Sequence, residues 1–144
     1  MFGQDKGTNA MSERENRRTI LLVEEDDETR PVLKANLQTY GYRLLLALDE
    51  EDALDRVGSG GAQADLVLLN LVGKAPEAVL DAGRRIRAHA KYDGRTPLVV
   101  LAEKYGKDLE GTDVNVSGND WIIYPEDHLQ LRNLLARLLV QPAN

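Results

Sequence analysis

A chain of 144 residues with 42% apolar side chains has the size of one domain with its own core, which excludes wholesale disorder. It carries a net charge of −6, and beyond residue 18 the balance is 14 basic against 21 acidic side chains, so no nucleic-acid partner is expected. Cysteine is absent, no apolar run nears the roughly 18 residues that span a bilayer, and the polar start lacks a signal-peptide pattern; a cytoplasmic protein without disulfides, thiolate metal sites or membrane attachment is expected.

Residues 1–18 have no apolar periodicity and are expected to form a flexible tail, with Met11 as an alternative start, before one domain over 19–144. Residues 19–23 (Thr-Ile-Leu-Leu-Val) suit a strand buried on both faces. A helix should follow, capped by Asp26 or Asp27, with Val32, Leu33, Asn36, Leu37 and Tyr40 on one side and Gly41 at its end. Further strands are expected at 42–48, 65–70, 97–101 and 121–124, with helices at 49–57 and 76–90. The stripe Leu131, Leu134, Leu135, Leu138, Leu139 predicts a last helix over 127–140. The loop at 58–61 lacks the spacing of a phosphate-binding glycine loop. Between residues 103 and 119, Gly106, Gly111, Thr112, Asp113, Val114, Asn115 and Val116 are poor helix formers, so a helix there should be short, irregular or mobile. Arg84, Arg85 and Arg87 are expected to form a solvated helix face. His89 and His128 have no ligand-spaced partner, and neither Ser59 nor Ser117 stands in a nucleophile context.

Strands that alternate with helices imply a parallel sheet covered on both faces. Four segments then carry a resemblance: Ile20-Leu21-Leu22-Val23-Glu24-Glu25-Asp26, Ala64-Asp65-Leu66-Val67-Leu68-Leu69-Asn70-Leu71, Thr96-Pro97-Leu98-Val99-Val100-Leu101-Ala102, and Asn119-Asp120-Trp121-Ile122-Ile123-Tyr124-Pro125. In order and spacing, the chain from 19 to about 139 resembles the receiver domains of two-component response regulators. The resemblance implies an α/β three-layer sandwich of the flavodoxin-like, CheY-like kind, with five parallel strands in the order 2-1-3-4-5. It also implies an acidic pocket at the carboxyl ends of the strands. In that family two acids after the first strand help hold Mg²⁺, an Asp ending the third strand accepts the phosphoryl group, and a Ser or Thr and a Lys bind its oxygens. In-line attack on phosphorus needs a carboxylate nucleophile, and cations must neutralise the developing charge.

Here Glu24 and Glu25 stand at the acidic pair, each reaching one methylene further, so Mg²⁺ should bind weakly at best. Asn70 stands at the nucleophile, Ala102 at the hydroxyl and Tyr124 at the lysine; only Pro125 remains of the Lys-Pro pair, and a cis bond is expected before it. The implied function is a non-catalytic pseudo-receiver that signals by protein–protein contact without Asp phosphorylation. A histidine kinase or another signalling protein would be its partner, and a second copy of the chain is a further candidate. The implied partner face carries Tyr105, Trp121, Glu126 and Asp127, with Trp121 fixed rather than swinging. The alternatives are a small-molecule sensor built on the same pocket, a receiver phosphorylated at Glu25 or Asp26, and a purely structural subunit.

Overall fold

The computed structural model describes residues 17–58, 60 and 63–140. The tail expected over 1–18 therefore lies outside the described residues except for Arg17 and Arg18, as do parts of the loop at 58–61. The elements in chain order are β1 (Thr19–Glu24), α1 (Thr29–Thr39), β2 (Arg43–Ala47), α2 (Glu50–Gly58), β3 (Leu66–Asn70), α3 (Pro76–His89), β4 (Leu98–Leu101), β5 (Thr112–Ser117), β6 (Asp120–Tyr124) and α4 (His128–Leu138). The sheet order is β2-β1-β3-β4-β6-β5, parallel throughout except for β5, which pairs antiparallel with β6.

Two cores follow from the pleat, because successive side chains of a strand point to opposite faces. On one face Leu21, Val23, Val67, Leu69, Leu98, Val100 and Ile122 pack under α2 and α3. On the other Ile20, Leu22, Leu66, Leu68, Val99 and Ile123 pack under α1 and α4. Strands buried on both faces have no room for polar alternation, which is why they are continuous apolar runs. Asp127 caps α4, its carboxylate accepting from the N–H groups of Leu129 (3.0 Å) and Gln130 (3.1 Å). Pro76 opens α3, where a missing N–H costs nothing.

The sheet departs from the expected five strands. No helix forms between β4 and the last parallel strand; residues 112–117 become an edge strand instead. Thr112, Val114 and Val116 alternate with polar residues, a strand pattern, and Gly118, at φ 50°, turns the chain into β6. Poor helix propensity and a period of two both favour strand over helix in this segment. A bulge between Asn115 and Ser117 has a visible consequence. Asp113 accepts from Gln130 and Arg137 of α4, whereas Ser117 accepts from Arg84 of α3 on the opposite face. Residues four apart on a regular strand would face the same way.

Two further expectations are corrected, the second in part. The Tyr124–Pro125 bond is not cis, since no cis peptide occurs among the described residues. In this arrangement the Tyr124 carbonyl accepts from Gly111 N–H at 2.8 Å, and the Pro125 carbonyl accepts from the Tyr105 hydroxyl; both donors come from the segment that replaces the helix. The arginines of α3 are solvated in part, Arg85 being exposed and Arg87 mostly covered, but all three are paired. Arg84 Nε and Arg87 Nη1 donate to the two oxygens of buried Asp120 (3.0 and 2.8 Å), and Arg85 is bidentate to Glu50 of α2 (2.6 and 2.9 Å). Asp120 thus ties the start of β6 to α3. Removing a buried carboxylate that holds two guanidiniums costs more than breaking a surface pair. Asp120→Ala should lose about 2–3 kcal/mol in urea unfolding; a loss under about 0.5 kcal/mol, typical of an exposed pair, would show the tie to be unimportant.

Candidate functional site

The carboxyl ends of β1, β3, β4 and β6 converge at one edge of the sheet. Register places Glu24 beside Asn70, and Ala102 N–H donates to Ile123 at 3.0 Å, which aligns Ala102 with the end of β6. Glu24 ends the apolar run of β1 and has no exposed surface. Its two oxygens accept from the Asn70 side-chain nitrogen at 3.0 and 2.9 Å, and Oε2 also accepts from Asp26 N–H at 3.2 Å. Burial pushes the Glu24 pKa above the ordinary 4.5; the Asn70 and Asp26 hydrogen bonds oppose that rise, and the charges of Asp26 and Glu103 add to it.

This pairing fixes how Asn70 lies. An ionised carboxylate only accepts, so the amide must turn its nitrogen toward Glu24. Asn70 Oδ1 is left buried and without a hydrogen-bond partner. Glu25 is also committed: its Oε1 accepts from Val72 N–H at 2.7 Å, and its own N–H donates to the Asn70 carbonyl at 3.1 Å. The Asp26 carboxylate accepts from the Thr29 N–H (2.8 Å) and the Thr29 hydroxyl, which hold its pKa below the usual range. Sequence reasoning missed Arg30. It donates from Nε to the Glu24 carbonyl (2.8 Å), from Nη2 to the Glu25 carbonyl (3.3 Å) and from Nη1 to Asp27 (2.8 Å), and so staples the acidic loop to α1. Nothing in its spacing marks such a role.

Ala102 and Tyr124 are both buried. Ala102 offers no hydroxyl. The Tyr124 phenol is pushed upward by burial and by Glu77, so it stays neutral at pH 7 and supplies no cation. Tyr105 packs edge-on against it, with centroids 5.4 Å apart. The Mg²⁺ that the fold family implies does not fit these residues. Both Glu24 oxygens and Oε1 of Glu25 accept from N–H donors, and Asn70 aims hydrogens, not a lone pair, at Glu24. Among the described residues no three His, Cys, Asp or Glu side chains are grouped to hold a metal. A cleft of about 480 Å³ opens beside the site, lined by Val72, Lys74, Pro76, Glu103 and Lys104 among others.

Of the residues expected at a partner face, Glu126 and Asp127 are exposed, while Tyr105 is half-buried against Tyr124. Trp121 packs into the core under α4, and the guanidinium of Arg137 sits 5.8 Å from its ring centroid. Both aromatics are therefore engaged within the chain.

No protein-family model matches the chain. It is 29% identical over 119 residues to the uncharacterized transcriptional regulatory protein YkoG of Bacillus subtilis, an alignment that covers 83% of this chain and 48% of that protein. The chain thus spans about half the length of the curated relative it matches. Among solved structures it is similar to the receiver domain of the sensor histidine kinase PA1611 of Pseudomonas aeruginosa, which holds a magnesium ion in its active-site cleft; identity is 25%, the TM-score is 0.59, and 85% of this chain and 98% of that one are covered. The chemotaxis protein CheY4 of Vibrio cholerae matches at 19% identity and TM-score 0.61, with the same coverage. The response regulator TrrA of Thermotoga maritima, solved with Mg²⁺ and beryllofluoride, matches at 23% and 0.59 over 84% and 98%. The fold is that of response-regulator receiver domains.

Because Glu24 binds its proton more tightly in the folded chain, its contribution to stability is fully present below the ordinary value of 4.5 and is lost as pH rises through the raised folded value. Glu24→Gln keeps an acceptor for Asn70 and removes the buried charge. The variant should therefore be more stable than the natural chain by about 1 kcal/mol at pH 8, with the gap closing toward pH 4. Urea unfolding at the two pH values measures this, and a difference independent of pH would contradict it. Mg²⁺ titrated by calorimetry should bind no tighter than about millimolar; micromolar binding would refute the misfit.

Proposed function

We propose that this chain, a receiver-fold domain of the two-component kind, acts by protein–protein contact and carries no phosphoryl group. The observation that carries this reading is the amide of Asn70 held by both oxygens of buried Glu24. A neutral amide offers no carboxylate to attack phosphorus, and here its nitrogen is also turned inward. Two changes elsewhere support the same conclusion. Ala102 lacks a hydroxyl and Tyr124 lacks an ammonium, so neither position offers the group that would bind a phosphoryl oxygen and favour one conformation once it was there. The domain thus has no catalytic step of its own, and its signal is the contact it makes. By the resemblance, a histidine kinase or another signalling protein is the partner.

Phosphorylation at another acid is disfavoured by the hydrogen bonds that occupy Glu25 and Asp26. The cleft beside Val72, Lys74 and Lys104 supports a second reading, a small-ligand sensor. A thermal-shift screen separates the two, because only a ligand that binds the folded chain raises its melting temperature.

Incubation with acetyl phosphate and Mg²⁺ should leave the intact mass unchanged, and a labile adduct of one phosphoryl group would overturn the proposal. Asn70→Asp alone should not restore switching. It sets a second carboxylate about 3 Å from Glu24, where two charges cannot both persist without a metal, and should cost about 2 kcal/mol at pH 8 in metal-free buffer. With beryllofluoride and Mg²⁺, amide shifts across residues 103–126 are expected only when Ala102→Thr and Tyr124→Lys are added. Saturable shifts across that segment in the single variant would refute this account.

A further inference from the structure

The strand that replaces a helix leaves the sheet with an open edge. The direction of its free backbone groups can be worked out. Leu98 N–H and Ala102 N–H donate to the carbonyls of Asn119 and Ile123, so residues 119 and 123 face β4. Backbone groups alternate along a strand, so 120, 122 and 124 face β5, and Gly111 N–H does meet the Tyr124 carbonyl. Val114, opposite Ile122, therefore spends its N–H and C=O on β6. Asp113 and Asn115 turn theirs outward.

Edge strands are usually protected by Lys, Pro or inward charges. Residues 111–119 contain no Lys and no Pro, and their one charge, Asp113, is held by Arg137 at 3.1 Å and Gln130 at 2.8 Å. Val114 and Val116 are 38% and 45% exposed. The bulge after Asn115 ends regular pairing, so the open ladder is short.

We propose that the β5 edge pairs with β5 of a second copy of this chain, antiparallel about a two-fold axis at Val114, to make one sheet across two molecules. Symmetry leaves few registers, since a two-fold antiparallel ladder must set some residue against itself. Centred on Val114, the outward groups of Asp113 meet those of Asn115 of the second copy, which gives two doubly bonded pairs. Val114 then lies against Val114 at the close, non-bonded position, where apolar β-branched side chains gain most. Thr112 falls opposite Val116, and the only charge, Asp113, falls opposite a neutral Asn115. An acidic chain thus meets itself along its least charged stretch, whose one carboxylate, Asp113, is already held by Arg137 and Gln130.

So short a ladder gives a weak dimer, with Kd on the order of micromolar to millimolar. It names a partner for the contact module proposed above, but a positive phosphorylation result would leave it standing. The test is sedimentation of the full chain from micromolar to millimolar concentration, with the exposed site Val114 varied. Val114→Asp and Val114→Lys should each weaken association at least about tenfold, because each sets like charges against themselves. Circular dichroism should show both variants folded. Mixed in equal amounts they should associate again, at least as tightly as the natural chain, because only a residue facing its own copy can be rescued this way. A natural chain that stays monomeric throughout, variants that associate unchanged, or a mixture that does not recover would overturn the proposal. The last result would point to an extended peptide of another protein at this edge.

Discussion

A carboxylate with no exposed surface ends the central strand β1, and the rest of the site follows from how that charge is tolerated. Glu24 is held mainly by one neighbouring amide, Asn70, with the Asp26 N–H as a second donor. A carboxylate at position 70 would repel it, and an apolar residue would leave it unpaired, at a cost well above that of a neutral hydrogen bond. Asn70 is thus explained as the donor that lets Glu24 stay buried. The fit is incomplete, because Asn70 Oδ1 remains without a partner. Such an orphan is the cost of using an amide where only its nitrogen is needed.

The other end of β6 obeys the same rule with the opposite outcome. Asp120 is as deeply placed as Asn70, yet it is fully served, because Arg84 and Arg87 bring two guanidiniums from α3. One buried acid is met by cations and anchors a helix to the sheet. The other is met by an amide at the carboxyl end of the sheet. The difference lies in which partners the fold brings within reach, not in the acids themselves.

The segment between β4 and β6 shows how local propensity can change a surface. Where the resemblance implied a helix, residues 112–117 extend the sheet, Tyr105 turns in against Tyr124, and Arg137 covers Trp121. The aromatics implied at a partner face become packing, and the surface presented there is a strand edge. That edge exposes two β-branched side chains, Val114 and Val116.

The sequence by itself determined where the parallel strands lie, because runs such as Leu66 to Leu69 suit burial on both faces in an alternating α/β chain, while the order of those strands was implied only by the resemblance. It also determined the residue types at positions 24, 25, 70, 102 and 124: two carboxylates, an amide, a methyl and a phenol. The tertiary structure decided what depends on distance between residues far apart in the chain. Glu24 meets Asn70 across 46 residues and Asp120 meets Arg84 across 36, and neither pairing leaves a local pattern. The edge strand is the intermediate case. Its alternation was present in residues 112–117, but whether so short a stretch becomes strand or irregular helix depends on a neighbour with free backbone groups. Only β6, once placed in the sheet, supplied one.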